Sequence, residues 1–108
     1  MNIPTSKKLQ ITTLPDTNTL RLVGDLDLYG VEAACEAVLN RFADKPGLEL
    51  DLGGIATCDT AGMQLLLAAQ RSAVASGKSF AIQTTAPAIA KCGELLGVGP
   101  ENWLPHAN

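Results

Sequence analysis

A mostly parallel, four-stranded α/β sheet with helices packed on it is the fold that three features of this 108-residue chain predict. Short β-prone runs alternate with segments whose apolar residues recur at helical spacing, in the order β-β-α-β-α-β-α. The connections between them are short and carry proline, glycine, asparagine or aspartate. Apolar residues make up 46% of the chain and charged ones 18%, a balance that fills one core, argues against disorder and leaves too little chain for two domains. One domain over residues 1–108, with its core between about Leu9 and Leu104, is the expected organisation.

Leu9 to Thr13 and Thr19 to Val23 are the first two strands, joined through Pro15-Asp16-Thr17-Asn18 as a hairpin or a strand-loop-strand pair, with Gly24 ending the second. After Asp25-Leu26-Asp27-Leu28-Tyr29-Gly30, apolar residues at Val31, Ala34, Cys35, Val38, Leu39 and Phe42 give the first helix one buried stripe. Glu32, Glu36, Asn40 and Arg41 would face water, and Pro46-Gly47 stops the helix. Leu48-Glu49-Leu50-Asp51-Leu52 alternates as a strand that Gly53-Gly54 breaks. Ala61 to Ser76 is the second helix, with Met63, Leu66, Leu67 and Val74 on its apolar face and Gly77 at the left-handed C′ position. Its first half is apolar nearly all round and is expected to be well buried. Ser79 to Gln83 is the fourth strand, through Phe80 and Ile82. Thr85-Ala86-Pro87 opens a third helix carrying Ile89, Leu95 and Leu96, weakened by Gly93 and ended by Gly97. Right-handed crossovers would pack the helices on the sheet, and Trp103 and Leu104 in the tail would pack back on the body.

A net charge of −3 without any Lys/Arg cluster leaves no electrostatic footprint for nucleic acid or an anionic membrane, so neither is an expected partner. The longest apolar run, Leu65 to Ala69, is far too short to enter a bilayer, and the first residues lack the apolar core of a leader; the cytoplasm is the expected compartment. Cys35, Cys58 and Cys92 are an odd number, far apart, and the one histidine, His106, stands in a polar tail where it would be solvated. No zinc site or disulfide framework follows. Cys35 reads as core and Cys58 as a buried, inert thiol without a cation to activate it. Asp25, Asp27, Asp51 and Asp59 would suit a divalent cation if they converged, but aspartates beside glycine serve turns and caps more often. Gly53-Gly54 lacks the pattern that cradles phosphates. No catalytic residue, metal or cofactor is expected.

What chemistry there is centres on Asp59-Thr60-Ala61-Gly62, between an apolar strand and a long helix. A hydroxyl at a helix start can cap it, worth about 1 kcal/mol, and a phosphate on that hydroxyl would face the positive end of the helix dipole. In an α/β sheet the loops at the C-terminal strand ends, where ligands and partners bind, would hold Asp25, Asp27 and Thr60.

The whole segment from Leu50-Asp51-Leu52 through Cys58-Asp59-Thr60-Ala61-Gly62 to Gln64-Leu65-Leu66-Leu67 resembles the central signature of STAS domains, the family of anti-sigma factor antagonists and of the cytoplasmic domains of sulfate transporters. There a strand of the form L-D-L-S leads through a short loop to D-S-S-G or D-T-A-G and then to a leucine-rich helix. Gly24-Asp25-Leu26-Asp27 is similar to the family's G-E-L-D, and the likeness continues to Leu95-Leu96-Gly97-Val98. The resemblance implies a regulatory binding module rather than an enzyme. It implies that Thr60 accepts phosphate from a partner that is both kinase and anti-sigma factor, or from another signalling kinase, and that the phosphorylated form is repelled. It implies a partner surface of Asp25, Asp27, Asp59, Thr60, Ala61, Gly62 and Gln64, in which the two upstream aspartates sit on the rim. Ala61 in place of the second hydroxyl, and threonine in place of serine, are shared with two other branches of the family. In one, the STAS subunit of the Mla-type phospholipid ABC transporter, the domain binds the ATPase without a switch; the other comprises stand-alone proteins of chemotaxis and two-component signalling.

Overall fold

The computed structural model describes residues 7–15 and 17–99. Seven elements follow in order: β1 (Gln10–Thr13), β2 (Thr19–Leu26), α1 (Val31–Asp44), β3 (Gly47–Cys58), α2 (Thr60–Ser76), β4 (Ser79–Thr84) and α3 (Pro87–Leu95). The strands lie in the order β1-β2-β3-β4. β1 pairs antiparallel with β2 through a hairpin, whereas β2–β3 and β3–β4 are parallel, each joined by a helical crossover. The element order and the mostly parallel sheet are those the sequence predicts. Trp103, Leu104 and His106 lie outside the described residues.

Alternation explains the two faces of the sheet. Leu20, Leu22, Leu48, Leu50, Leu52 and Phe80 point to one side, where they are buried under the helices. Arg21, Val23, Ala81 and Gln83 point to the other and are exposed. There Arg21 Nε donates to Asp51 Oδ2 at 3.0 Å across the β2–β3 pair, and Gln83 Nε2 donates to the Glu49 carboxylate across β3–β4. Each helix completes the core with a narrow stripe: Ala34, Val38 and Phe42 from α1, Met63, Leu66, Ala69 and Ala73 from α2, Ile89 and Cys92 from α3.

The glycines of both long strands correct the expected boundaries. β2 runs through Gly24 to Leu26, and β3 runs through Gly53-Gly54 to Cys58. Gly24 sits at φ +111, and a Cβ there would come within 2.8 Å of the Lys7 and Lys8 carbonyl oxygens. Gly54 faces Val23, whose Cγ2 would lie 2.9 Å from an added Cβ, at one of two register shifts between the strands. Here glycine marks bulges and close backbone approach inside a continuous ladder, not its end.

The helical stripes are narrower than periodicity suggests. Cys35 is exposed and Leu39 is 56% exposed, because α1 buries the Ala34–Val38–Phe42 line, with Val31 and Ala37 partly buried beside it, and turns the Cys35–Leu39 flank outward. Arg41, expected in water, is half-buried and donates from Nη2 to the Thr17 carbonyl oxygen at 3.1 Å, tying α1 to the hairpin. Val74 stands off the stripe of Leu66, Ala69 and Ala73 and is 73% exposed, while Leu67 is half-buried. In α3 the stripe is Ile89, Cys92 and Gly93, which leaves Leu95 and Leu96 exposed.

Candidate partner-binding site

The C-terminal ends of β2 and β3 stop side by side, with Leu26 opposite Cys58, and the chain leaves them into the β2–α1 turn and into α2. Asp59 joins the two exits. It is the N-cap of α2 in extended conformation, and its Oδ1 accepts from the Gly62 N–H at 3.1 Å. Its Oδ2 accepts from the Leu28 N–H at 3.0 Å, so one carboxylate caps the helix and pins the neighbouring turn. The cap is therefore Asp59 and not Thr60, which is the first residue of the helix. An aspartate in extended backbone before the first turn satisfies an orphan N–H and adds negative charge at the positive helix end, so it displaces threonine from that role. Thr60 is left exposed at the tip.

Asp27 builds the turn itself. Its Oδ1 accepts from the N–H groups of Tyr29 and Gly30 at 3.0 and 3.1 Å, and its carbonyl oxygen accepts from Val31 at 2.9 Å, so the chain enters α1 in a fixed direction. Asp25, expected in a loop at the rim, lies inside β2 and is 7% exposed. Its Oδ2 accepts from the Lys7 N–H at 2.7 Å and its Oδ1 from the Thr57 hydroxyl at 2.8 Å, so both oxygens are engaged within the fold.

Gly62 is buried, and its place against β2 requires glycine. An added Cβ would collide with the Leu26 carbonyl oxygen and come within 2.9 Å of Leu26 Cγ and 3.0 Å of Cys58 Sγ. It lets the first turn of α2 lie directly on the strand ends and offers no surface of its own. Ala61 is half-buried and Gln64 exposed, on the flank of α2 that faces α1. Asp27, Asp59, Thr60, Ala61 and Gln64 thus share one edge, while Asp25 and Gly62 support it from beneath.

Three neighbours of this edge had no sequence motif to announce them. Leu28 and Tyr29 are 66% and 92% exposed in the turn that Asp59 pins, and Lys91 of α3 lines the same shallow depression as Thr60. Two successive large apolar residues in a turn that precedes an amphipathic helix were the available signal for the first two. Cys58 is half-buried, its thiol pushed up to about 12 by burial and then by the adjacent Cys92. That keeps it protonated and unreactive. Asp25, Asp27, Asp51 and Asp59 do not converge: among the described residues no three potential ligands gather as a metal site. Nor is any helix among them long and apolar enough to cross a membrane.

A small mixed sheet whose acidic-hydroxyl pair opens the helix after its central strand defines a class of domain, and the comparisons agree on which. The chain belongs to the STAS domain family: the family model described as Mlab, STAS domain matches residues 9–104. Two solved structures share its fold. The crystal structure of an anti-sigma factor antagonist from Mycobacterium paratuberculosis superposes with a TM-score of 0.67 at 20% identity, covering 90% of this chain and 83% of that one. The anti-sigma factor antagonist SpoIIAA in its unphosphorylated form superposes at 0.66 with 21% identity, covering 93% and 88%. No curated protein matches the sequence.

Proposed function

We propose that this chain is a single, non-enzymatic regulatory module, antagonist-like, that binds a protein partner through the tip of α2 and loses it when Thr60 is phosphorylated. One observation carries the reading: Thr60 is exposed at the first helical position, and the adjacent Asp59 has already capped the helix. Among the described residues the Thr60 hydroxyl makes no hydrogen bond that a phosphate would disrupt. Phosphorylation would add roughly −1.5 to −2 of charge and three acceptor oxygens. The helix dipole stabilises that charge in the free protein, while Asp59 beside it adds to the negative potential met by a partner. Burying the dianion in an interface costs its hydration, so the modified tip prefers water to contact. The partner consistent with this reading is an anti-sigma factor with serine/threonine kinase activity, or another signalling kinase, in the cytoplasm.

A second reading is favoured by the Mlab description of the matching family and by Ala61 where a second hydroxyl would stand. In it the same surface docks permanently on an ABC-transporter ATPase and Thr60 is a contact residue. Paired variants separate the two. A switch expects Thr60→Ala to keep partner binding and Thr60→Glu to lose it, with phosphate incorporation abolished in both. Permanent docking expects no phosphate on the wild type and a partner that Thr60→Ala already weakens.

A further inference from the structure

The α1 stripe that is too narrow leaves a groove. Between α1 and α2 runs an open depression of about 720 Å³, floored by Val31 and Leu65 and walled by Leu28, Cys35, Leu39 and Ala68. Leu28, in the turn before α1, is 66% exposed, and Leu39, which periodicity assigns to the buried stripe, is 56% exposed, so two leucines face water along one line. The charge around it is one-sided. Glu32 and Glu36 stand on its α1 rim, and among the described residues no lysine or arginine lines it.

We propose that this groove receives an amphipathic helix of a partner protein, its apolar stripe on Leu28, Leu39 and Leu65 and its basic residues against Glu32 and Glu36. From Val31 to Asn40 the groove follows α1 for about 14 Å, the length of two to three helical turns. That matches the i, i+3, i+4, i+7 spacing by which a helix lays apolar anchors in a groove. The same charges argue against the other occupants. A second copy would bring Glu32 and Glu36 of both chains together, an anionic bilayer would meet the acidic rim, and the open side gives a small ligand little enclosure. The surface lies on the α1 side of α2, whereas Thr60 faces the α3 side with Lys91. It extends the partner contact proposed above down the helix and fails separately from it.

The test uses a synthetic leucine-lysine peptide with leucines at helical stripe spacing. Its controls are a scrambled peptide of the same composition and one with glutamate for lysine. Fluorescence anisotropy gives affinity and amide chemical shifts give location. The striped basic peptide is expected to bind the wild type with shifts along Leu28 to Leu39 and Ala61 to Ala68. Roughly tenfold or greater loss is expected in Leu39→Glu and in the double variant Glu32→Lys/Glu36→Lys, and no loss in Gln83→Ala on the open sheet face. Both altered sites are on exposed α1 positions, so unchanged circular dichroism and thermal unfolding separate lost binding from lost folding. Equal binding of the scrambled or acidic peptide, unchanged affinity in the groove variants, or shifts on the open sheet face would overturn the proposal. So would a dimer of the wild type that Leu39→Glu dissolves, since the occupant would then be a second copy.

Discussion

Aspartates do opposite things at two places in this sheet. Where β2 and β3 end, Asp25, Asp27 and Asp59 take backbone N–H groups as their partners, at 2.7 to 3.1 Å, and thereby fix where strands, turn and helix meet. On the open face Asp51 accepts from Arg21, a side chain 47% exposed, and from the Gly53 N–H two residues along its own strand, and the neighbouring Glu49 pairs with Gln83. The first group joins separate elements by satisfying N–H groups of a turn, a helix start and the Lys7 segment; the second stays within the sheet, where its side-chain partners exchange one solvated contact for another. Charge at the strand ends therefore builds a surface, and charge on the open face decorates one. Partner binding is expected at the first.

The contrast can be broken hardest at Gly62. Gly62→Val pushes a branched side chain into the Leu26 carbonyl and is expected to cost about 3 kcal/mol in urea denaturation, displacing the first turn of α2. Asp25→Ala comes next, at about 2 kcal/mol, because the Lys7 N–H and the Thr57 hydroxyl lose their acceptor in a part-buried place. Asp59→Ala should cost about 1 kcal/mol as a lost cap. Its sharper signature is faster hydrogen exchange at both the Leu28 and Gly62 amides, since one carboxylate holds both.

The open face should respond least. Asp51→Asn is expected to cost about 0.5 kcal/mol at neutral pH. The Gly53 N–H and then the Arg21 side chain hold the Asp51 carboxyl below its ordinary value of 3.8. Its folded value is thus lower than its unfolded one, so its contribution is complete above 3.8 and disappears as pH falls through the lower folded value. Wild type and Asp51→Asn should therefore unfold together in strong acid and apart at pH 7. A constant gap across that range would contradict the assignment.

The fold was legible because strand alternation and helical spacing are local signals. Element order, the Leu48–Leu52 alternation and Gly77 at φ +65 all follow from residues within a few positions of each other. What local reading missed depends on distant neighbours. Gly24 and Gly54 read as breaks until the Lys7–Lys8 segment and Val23 are beside them, and Cys35, Leu39 and Leu95 read as core until the helices' positions leave them outside. The site divides the same way. Asp59-Thr60-Ala61-Gly62 was visible as a segment, and the Asp59 cap on the Gly62 N–H is local to it; what no local reading shows is that the second oxygen holds the Leu28 amide, thirty-one residues away.

The central claim is that the free Thr60 hydroxyl is a phosphate acceptor at a partner surface. Recovering the protein from its native host with whatever it binds, and weighing the peptide that contains Thr60, tests it most directly. The account predicts a kinase-like anti-sigma factor or a signalling kinase bound to the unmodified form, and a fraction of Thr60 carrying phosphate that is absent from the bound pool. An ABC ATPase with its permease in the recovered complex, and Thr60 unmodified throughout, would contradict it.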